Sequence, residues 1–194
     1  MPKIVAITGG IGSGKSRIVR LFSTLGIPCY QADERAKALM NNDPVLKEKI
    51  CAVFGVEAYQ KGNLHREYLS KIVFNDPSQL AILNGIVHPA VANDFNQWVK
   101  EQKTAYVVKE VAILFETGGN KKADISLLVT APDQLRIERV MQRDQCTQEE
   151  VERRMANQWS DKKKIPLADF VLQNIDWEKT QSEVNQLHKK FLLL

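Results

Sequence analysis

Apolar side chains recur along this chain in two rhythms. Ile4, Val5, Ala6 and Ile7 form an unbroken run rich in β-branched residues, which suits a strand buried on both faces. After a glycine-rich segment, Ile18, Val19, Leu21, Phe22 and Leu25 recur at helical spacing, and Gly26 marks the end of that helix. Residues 27–30 predict a short second strand with Pro28 near an edge, and its end delivers Gln31, Ala32 and Asp33 into a loop before a helix starting near Glu34. From there to about Lys103 the period stays helical with no convincing strand. Residues 35–40, 44–54, 66–74, 77–83 and 89–102 each carry apolar positions at helical intervals, divided by the turn signals Asn42-Asp43-Pro44, Lys61-Gly62-Asn63 and Asn75-Asp76-Pro77. Apolar runs return at 105–111 and 125–130, and between them residues 113–119 start a helix that two glycines stop. An amphipathic helix at 132–142, a Thr147-to-Glu150 capping box, a fifth strand at 167–172 and a last helix at 177–192 complete the pattern.

Five buried strands joined by helical crossovers predict an α/β fold, a doubly wound five-stranded parallel sheet with its ligand at the carboxyl ends of the strands. An alternating pattern needs one helix between the second and third strands, and this chain supplies four or five. The excess predicts a helical insertion at 34–103, set into a core of 1–33 and 104–194, with a helical lid segment at 143–164 inside that core.

Composition narrows this only slightly. The chain has 194 residues, 44% hydrophobic and 26% charged, as in soluble globular proteins. Its net charge of +4 is mild, and the basic residues are scattered except at Lys162 to Lys164, which reads as a solvated edge of the lid. Cys29, Cys51 and Cys146 lie far apart with no C-x-x-C pair, against a disulfide framework or a zinc site. No apolar run is long enough to span a bilayer. The expectation is a cytoplasmic protein that binds neither membrane nor nucleic acid; the sequence does not fix its oligomeric state.

The glycine-rich segment carries the chemistry. Gly9 to Ser16 match G-x-x-x-x-G-K-[ST] between a strand and a helix, the phosphate-binding loop. Its backbone N–H groups, over Gly10, Ile11, Gly12, Ser13 and Gly14, curl around polyphosphate oxygens, and the helix adds the positive end of its dipole. Lys15 reaches the β- and γ-phosphates, and the Ser16 hydroxyl ligates Mg²⁺. A guanine-specific Asn-Lys-x-Asp is missing, since Asn120-Lys121-Lys122-Ala123-Asp124 carries its aspartate one place late. A small-molecule kinase needs a carboxylate near the acceptor hydroxyl and arginines that close on the phosphates. Asp33 and the stretch Arg136, Arg139, Arg143 supply both.

With those motifs in order, the chain resembles the dephospho-CoA kinase family over nearly its whole length. The resemblance rests on Thr8 to Ser16, Ala32-Asp33, the Leu-Asn-Gly-Ile-Val-His-Pro around His88, Ile113 to Glu116, Gln142 to Asp144, Arg154 with Gln158, and Ala168-Asp169 with Asn174. It departs from the family at Gln31 in place of the first Asp of D-A-D, at Arg17 where Thr is common, at Ala112 where Pro is usual and at Gln173 where Asp is usual.

The resemblance implies a sheet of the P-loop kinase type and ATP-dependent phosphorylation of the ribose 3′-hydroxyl of dephospho-CoA with Mg²⁺, the last step of coenzyme A biosynthesis. It implies that Asp33, Lys15, Arg139 and Arg143 serve catalysis, with Asp33 taking the proton of the attacking hydroxyl. Residues 10–17, Arg17 included, and Asn174 near the adenine are expected to bind ATP, and Asp33, His88 and Glu116 to meet the acceptor. His88 serves equally well as a packing residue, Glu110 is a candidate to hold a metal-bound water, and Trp98, Trp159 and Trp177 read as packing. Two other classes stay open: a nucleoside or shikimate-type kinase with another acceptor, and a regulator that binds nucleotide without transferring phosphate.

Overall fold

The computed structural model describes residues 1–74 and 76–193, Phe74 through its backbone only; Asn75, in the third turn signal, lies outside the described residues. The chain divides into two compact units, Met1–Gln31 with Gln102–Leu194, and Ala32–Glu101. The division falls directly at the end of the second strand, between Gln31 and Ala32, so Asp33 is counted with the helical unit.

The first unit is built on a five-stranded parallel sheet: β1 (Lys3–Thr8), β2 (Cys29–Gln31), β5 (Tyr106–Glu110), β6 (Ile125–Thr130) and β7 (Phe170–Gln173), in the order β2-β5-β1-β6-β7. Every residue of β6 is buried, as a strand covered on both faces requires. On one face Val5, Ile7, Val108, Leu127 and Val129 pack with Ile18, Val19 and Phe22 of α1 (Lys15–Thr24) and with Val184 and Phe191 of α9 (Trp177–Phe191). On the other, Ala6 and Leu128 meet Leu114 and Phe115. Register pairs Ile7 with Glu110 and Glu110 with Gln31, so three adjacent strands end level.

The second unit holds α2 (Ala32–Asn42), α3 (Pro44–Phe54), α4 (Arg66–Phe74) and α5 (Pro77–Glu101), with a two-residue hairpin of β3 (Tyr59–Gln60) and β4 (Asn63–Leu64). Two expectations change here. The turn signal Lys61-Gly62 is a hairpin turn, with both residues at positive φ as a type I′ turn requires, and strands this short show no period in sequence. The helices expected at 77–83 and 89–102 are one helix that runs through Pro89. Pro89 has no N–H for the carbonyl of Gly85 four residues earlier, and the helix continues through both positions with that one bond missing.

In the first unit, residues 113–118 are turns and Gly119 opens a short 3-10 helix (Gly119–Lys122), and the helix expected from 132 is α6 (Asp133–Asp144). The chain continues through α7 (Gln148–Ala156) and the single turn α8 (Asp161–Lys164) before β7. The capping box forms as read: Thr147 Oγ1 accepts from Glu150 N–H while the Glu150 carboxylate accepts from Thr147 N–H. Thr147→Ala is expected to cost about 1 kcal/mol in urea unfolding, the usual worth of such a cap.

Candidate active site

The phosphate-binding loop is held in shape by groups on either side of it. Gly12 and Gly14 both sit at positive φ, and a Cβ on either collides, with the Arg136 backbone or with the Asn174 amide. Ile11 is gripped through both backbone groups: its N–H donates to Gln158 Oε1 at 2.8 Å, and its carbonyl accepts from Arg136 Nε at 2.9 Å. Asn174, 3% exposed, donates its amide to Ser13 O at 2.8 Å and meets Thr180 Oγ1 at 3.5 Å. The side chain expected along the adenine is therefore turned to the loop and α9. These bonds hold the loop's backbone from both sides, and a backbone held in this way lowers the ordering cost of binding.

At the loop's exit, Ser16 Oγ donates to Glu110 Oε1 at 2.9 Å, and Gln31 Nε2 donates to Glu110 Oε2 at 2.9 Å. Level strand ends make this possible, since Gln31 and Glu110 are register partners. The amide at position 31 satisfies Glu110 as a donor, where a second carboxylate would repel it. Below lies Cys29, whose thiol is pushed up to about 12 by burial and then by the Glu110 charge, which makes it inert. Ser16 and Glu110 offer two hard oxygens beside the loop, the donor set of a Mg²⁺ that keeps most of its ligands as water and phosphate. Among the described residues no group of three or more His, Cys, Asp or Glu forms an all-protein metal cage, consistent with that sparse mode.

The three arginines of α6 have three different settings. Arg136 is buried, bonded to Ile11 O and Asp133 and 3.6 Å from Asp161, so it holds the loop. Arg139 donates to Asn174 O at 3.0 Å and to Gly12 O at 3.5 Å, and its pKa is lowered by burial and then by the charge of Arg17. Arg143 is exposed and bonded to Asp144, which also takes Arg154 Nη1 at 2.8 Å. Arg154 and Gln158, paired in the family resemblance, serve different partners: Arg154 lies in α7 and Gln158 beyond its end.

The Asp144 clamp should be acid-sensitive. Hydrogen bonding and charge from Arg143, aided by Arg154, hold its carboxyl at about 2 against 3.8 in the open chain. A depressed carboxyl stabilises the fold above the higher value and stops doing so as pH falls through the lower one. The contribution is therefore complete above about pH 4 and lost toward pH 2. Asp144→Asn should flatten that part of an acid titration of stability.

Sequence reading missed a buried charge chain. Lys164, expected at a solvated edge, is fully buried, and its Nζ lies 2.9 Å from Glu116 Oε1, which also accepts from Trp159 N–H at 3.1 Å. Glu116, expected at the acceptor, is 14% exposed and committed to these partners. Asp161 stands between Arg136 and Lys164, its carboxyl pushed up by burial and drawn back by both cations. The one lysine out of three that faces inward is marked only by the apolar residues after it, Ile165 and Leu167.

In the second unit, Asp33 is the second residue of α2, two positions beyond Gln31, and Arg35 pairs with Asp94 of α5. His88 is exposed on α5.

The family model for dephospho-CoA kinase matches residues 3–179. The chain belongs to the dephospho-CoA kinase family. A dephospho-CoA kinase from Chlorobium chlorochromatii is 38% identical over 206 aligned positions, covering 100% of this chain and 97% of that protein. Among solved structures, a Thermus thermophilus protein matches with a TM-score of 0.89 and 32% identity, over 97% of each chain. Dephospho-CoA kinase from Campylobacter jejuni shares the fold at a TM-score of 0.71 and 24% identity, over 98% of this chain and 97% of its own. The sheet is thus that of the P-loop kinases, as the motifs implied.

Proposed function

We propose that this chain transfers the γ-phosphoryl group of ATP to the ribose 3′-hydroxyl of dephospho-CoA, giving CoA and ADP. The observation that carries the reading is the contact of Ser16 with Glu110 at the mouth of a pre-shaped phosphate loop. It marks the metal end of the triphosphate on the β5 and β2 side of the sheet. Gln31 closes that end, and Asp33 follows it in the chain.

In this reading the loop N–H groups and Lys15 hold the β- and γ-phosphates, and Arg139, oriented by Gly12 O and Asn174 O, draws charge from the transferring group. Ser16 would ligate Mg²⁺ directly and Glu110 one of its waters; the bound ion supplies charge neutralisation at the β- and γ-oxygens. Asp33 aligns the 3′-hydroxyl in line with the γ-phosphorus and accepts its proton late, as a loose transition state demands. Within the segment 143–164, whose end from Gln158 to Lys164 is anchored to the loop and the core, the part before Gln158 acts as a lid that brings Arg143 toward the phosphates and excludes water. The unit Ala32–Glu101, with His88 on its surface, recognises the adenosine and pantetheine of the acceptor. Among the described residues no helix is long and apolar enough to cross a membrane, and the substrates proposed are small and polar.

The test is turnover. Purified protein with ATP, Mg²⁺ and dephospho-CoA should give ADP and CoA in equal amounts. ADP formed only with shikimate or a nucleoside as acceptor, or ATP bound with no transfer to any acceptor, would refute the proposal.

A further inference from the structure

Arg17 is the departure from the family pattern that lies nearest the phosphates, and its setting is specific. It occupies the first turn of α1, exposed, with its guanidinium carbon 3.3 Å from the centroid of the Trp177 ring. Trp177 opens α9 and is itself partly buried against the main core, so the indole is a fixed plate and the guanidinium stacked on it has few other positions. Among the described residues no carboxylate pairs with Arg17. The nearby guanidinium of Arg139 is held by two carbonyl oxygens and by no carboxylate, and the like charge of Arg17 lowers its pKa. Two cations facing one region without an anion are unfavourable unless a ligand supplies the charge.

Strand order says which part of the ligand. Ser16 and Glu110 set the metal end of the nucleotide toward β5 and β2. Arg139 reaches the carbonyl just after β7, and Trp177 begins the helix after β7, the strand at the opposite edge. A triphosphate that starts at Ser16 therefore presents its nucleoside end to Arg17. We propose that Arg17, held on the Trp177 indole, binds the α-phosphate of the nucleotide donor, and that Trp177 is its positioning residue. The proposal rests on the reading of the chain as an ATP-dependent kinase and adds a contact that the loop motif does not contain.

Arg17→Met separates the roles, because the methionine keeps an apolar side chain against the indole and removes the charge. By calorimetry the dissociation constant for ADP should rise about tenfold or more, the worth of a charge-assisted hydrogen bond, while that for adenosine stays unchanged. Trp177→Leu should weaken ADP in the same way, and the double variant should be no worse than Arg17→Met alone, since the two act as one unit. ADP bound by Arg17→Met as tightly as by the unaltered protein, or adenosine weakened as much as ADP, overturns the phosphate contact. Additive losses in the double variant overturn the role of Trp177. Turnover of dephospho-CoA by the unaltered protein is measured separately, so failure of the kinase reading and failure of this contact give different results.

Discussion

Asp33→Asn is expected to lower kcat with saturating ATP and dephospho-CoA by about 10²-fold or more, the usual span for losing a positioned acid–base group. Affinity for ATP should hardly change. The asparagine keeps the size and shape of aspartate in the first turn of α2, so the helix should form as before. What it loses is the charge that orients the hydroxyl and the site that takes its proton. Steady-state kinetics with each substrate varied in turn make the check. Equal losses in kcat and in ATP affinity would mean that Asp33 shapes the loop region rather than acting on the acceptor.

Asp33 carries this weight because the neighbouring position is not acidic. Gln31 donates to Glu110, and Glu110 accepts from Ser16, so both side chains are tied to the serine at the loop's exit. A family member with aspartate at this position would place two carboxylates side by side at the end of β2 and β5, which ionise together only with a cation between them. In this chain the amide removes that requirement, and Glu110 alone faces the serine. On the proposed mechanism the proton of the acceptor then falls to Asp33 alone.

How much of this the sequence revealed varies with how local the determining physics is. The phosphate loop was legible because its glycines, lysine and serine act through backbone geometry fixed within a few residues. The Thr147 capping box and the strand at 125–130 were legible for the same reason, as short-range pattern. Strand order rests on long-range pairing that no local pattern carries, and only the folded chain gives it. Pro89 misled because a proline removes one helical bond without always ending the helix, and here the turns on either side continue through it. Roles that depend on distant partners were hidden: Asn174 on Ser13, Gln158 on Ile11 and Arg136 on Ile11 each span more than a hundred residues of chain. The composition of Lys162 to Lys164 says surface, and only the packed structure shows that the third lysine turns inward.

That lysine leads to the second large effect. Lys164→Ala should destabilise the protein by about 3–5 kcal/mol, because it leaves Glu116 charged, shielded from water and without its cation. Against a total stability of about 5–15 kcal/mol for a typical domain, this is enough to shift the urea midpoint far down. A charge pair in such a setting is not itself a large stabiliser, since withdrawing both ions from water costs about what their attraction returns. Lys164→Met combined with Glu116→Gln should therefore stand close to the unaltered protein, the glutamine oxygen still accepting from Trp159 N–H. Lys164→Met alone should resemble the alanine variant. A single-variant loss under about 1 kcal/mol would show that Glu116 finds water once the lysine is gone. The pair would then be a surface contact in effect, and the charge chain through Asp161 and Arg136 to Ile11 would not anchor the segment after α7 to the phosphate loop.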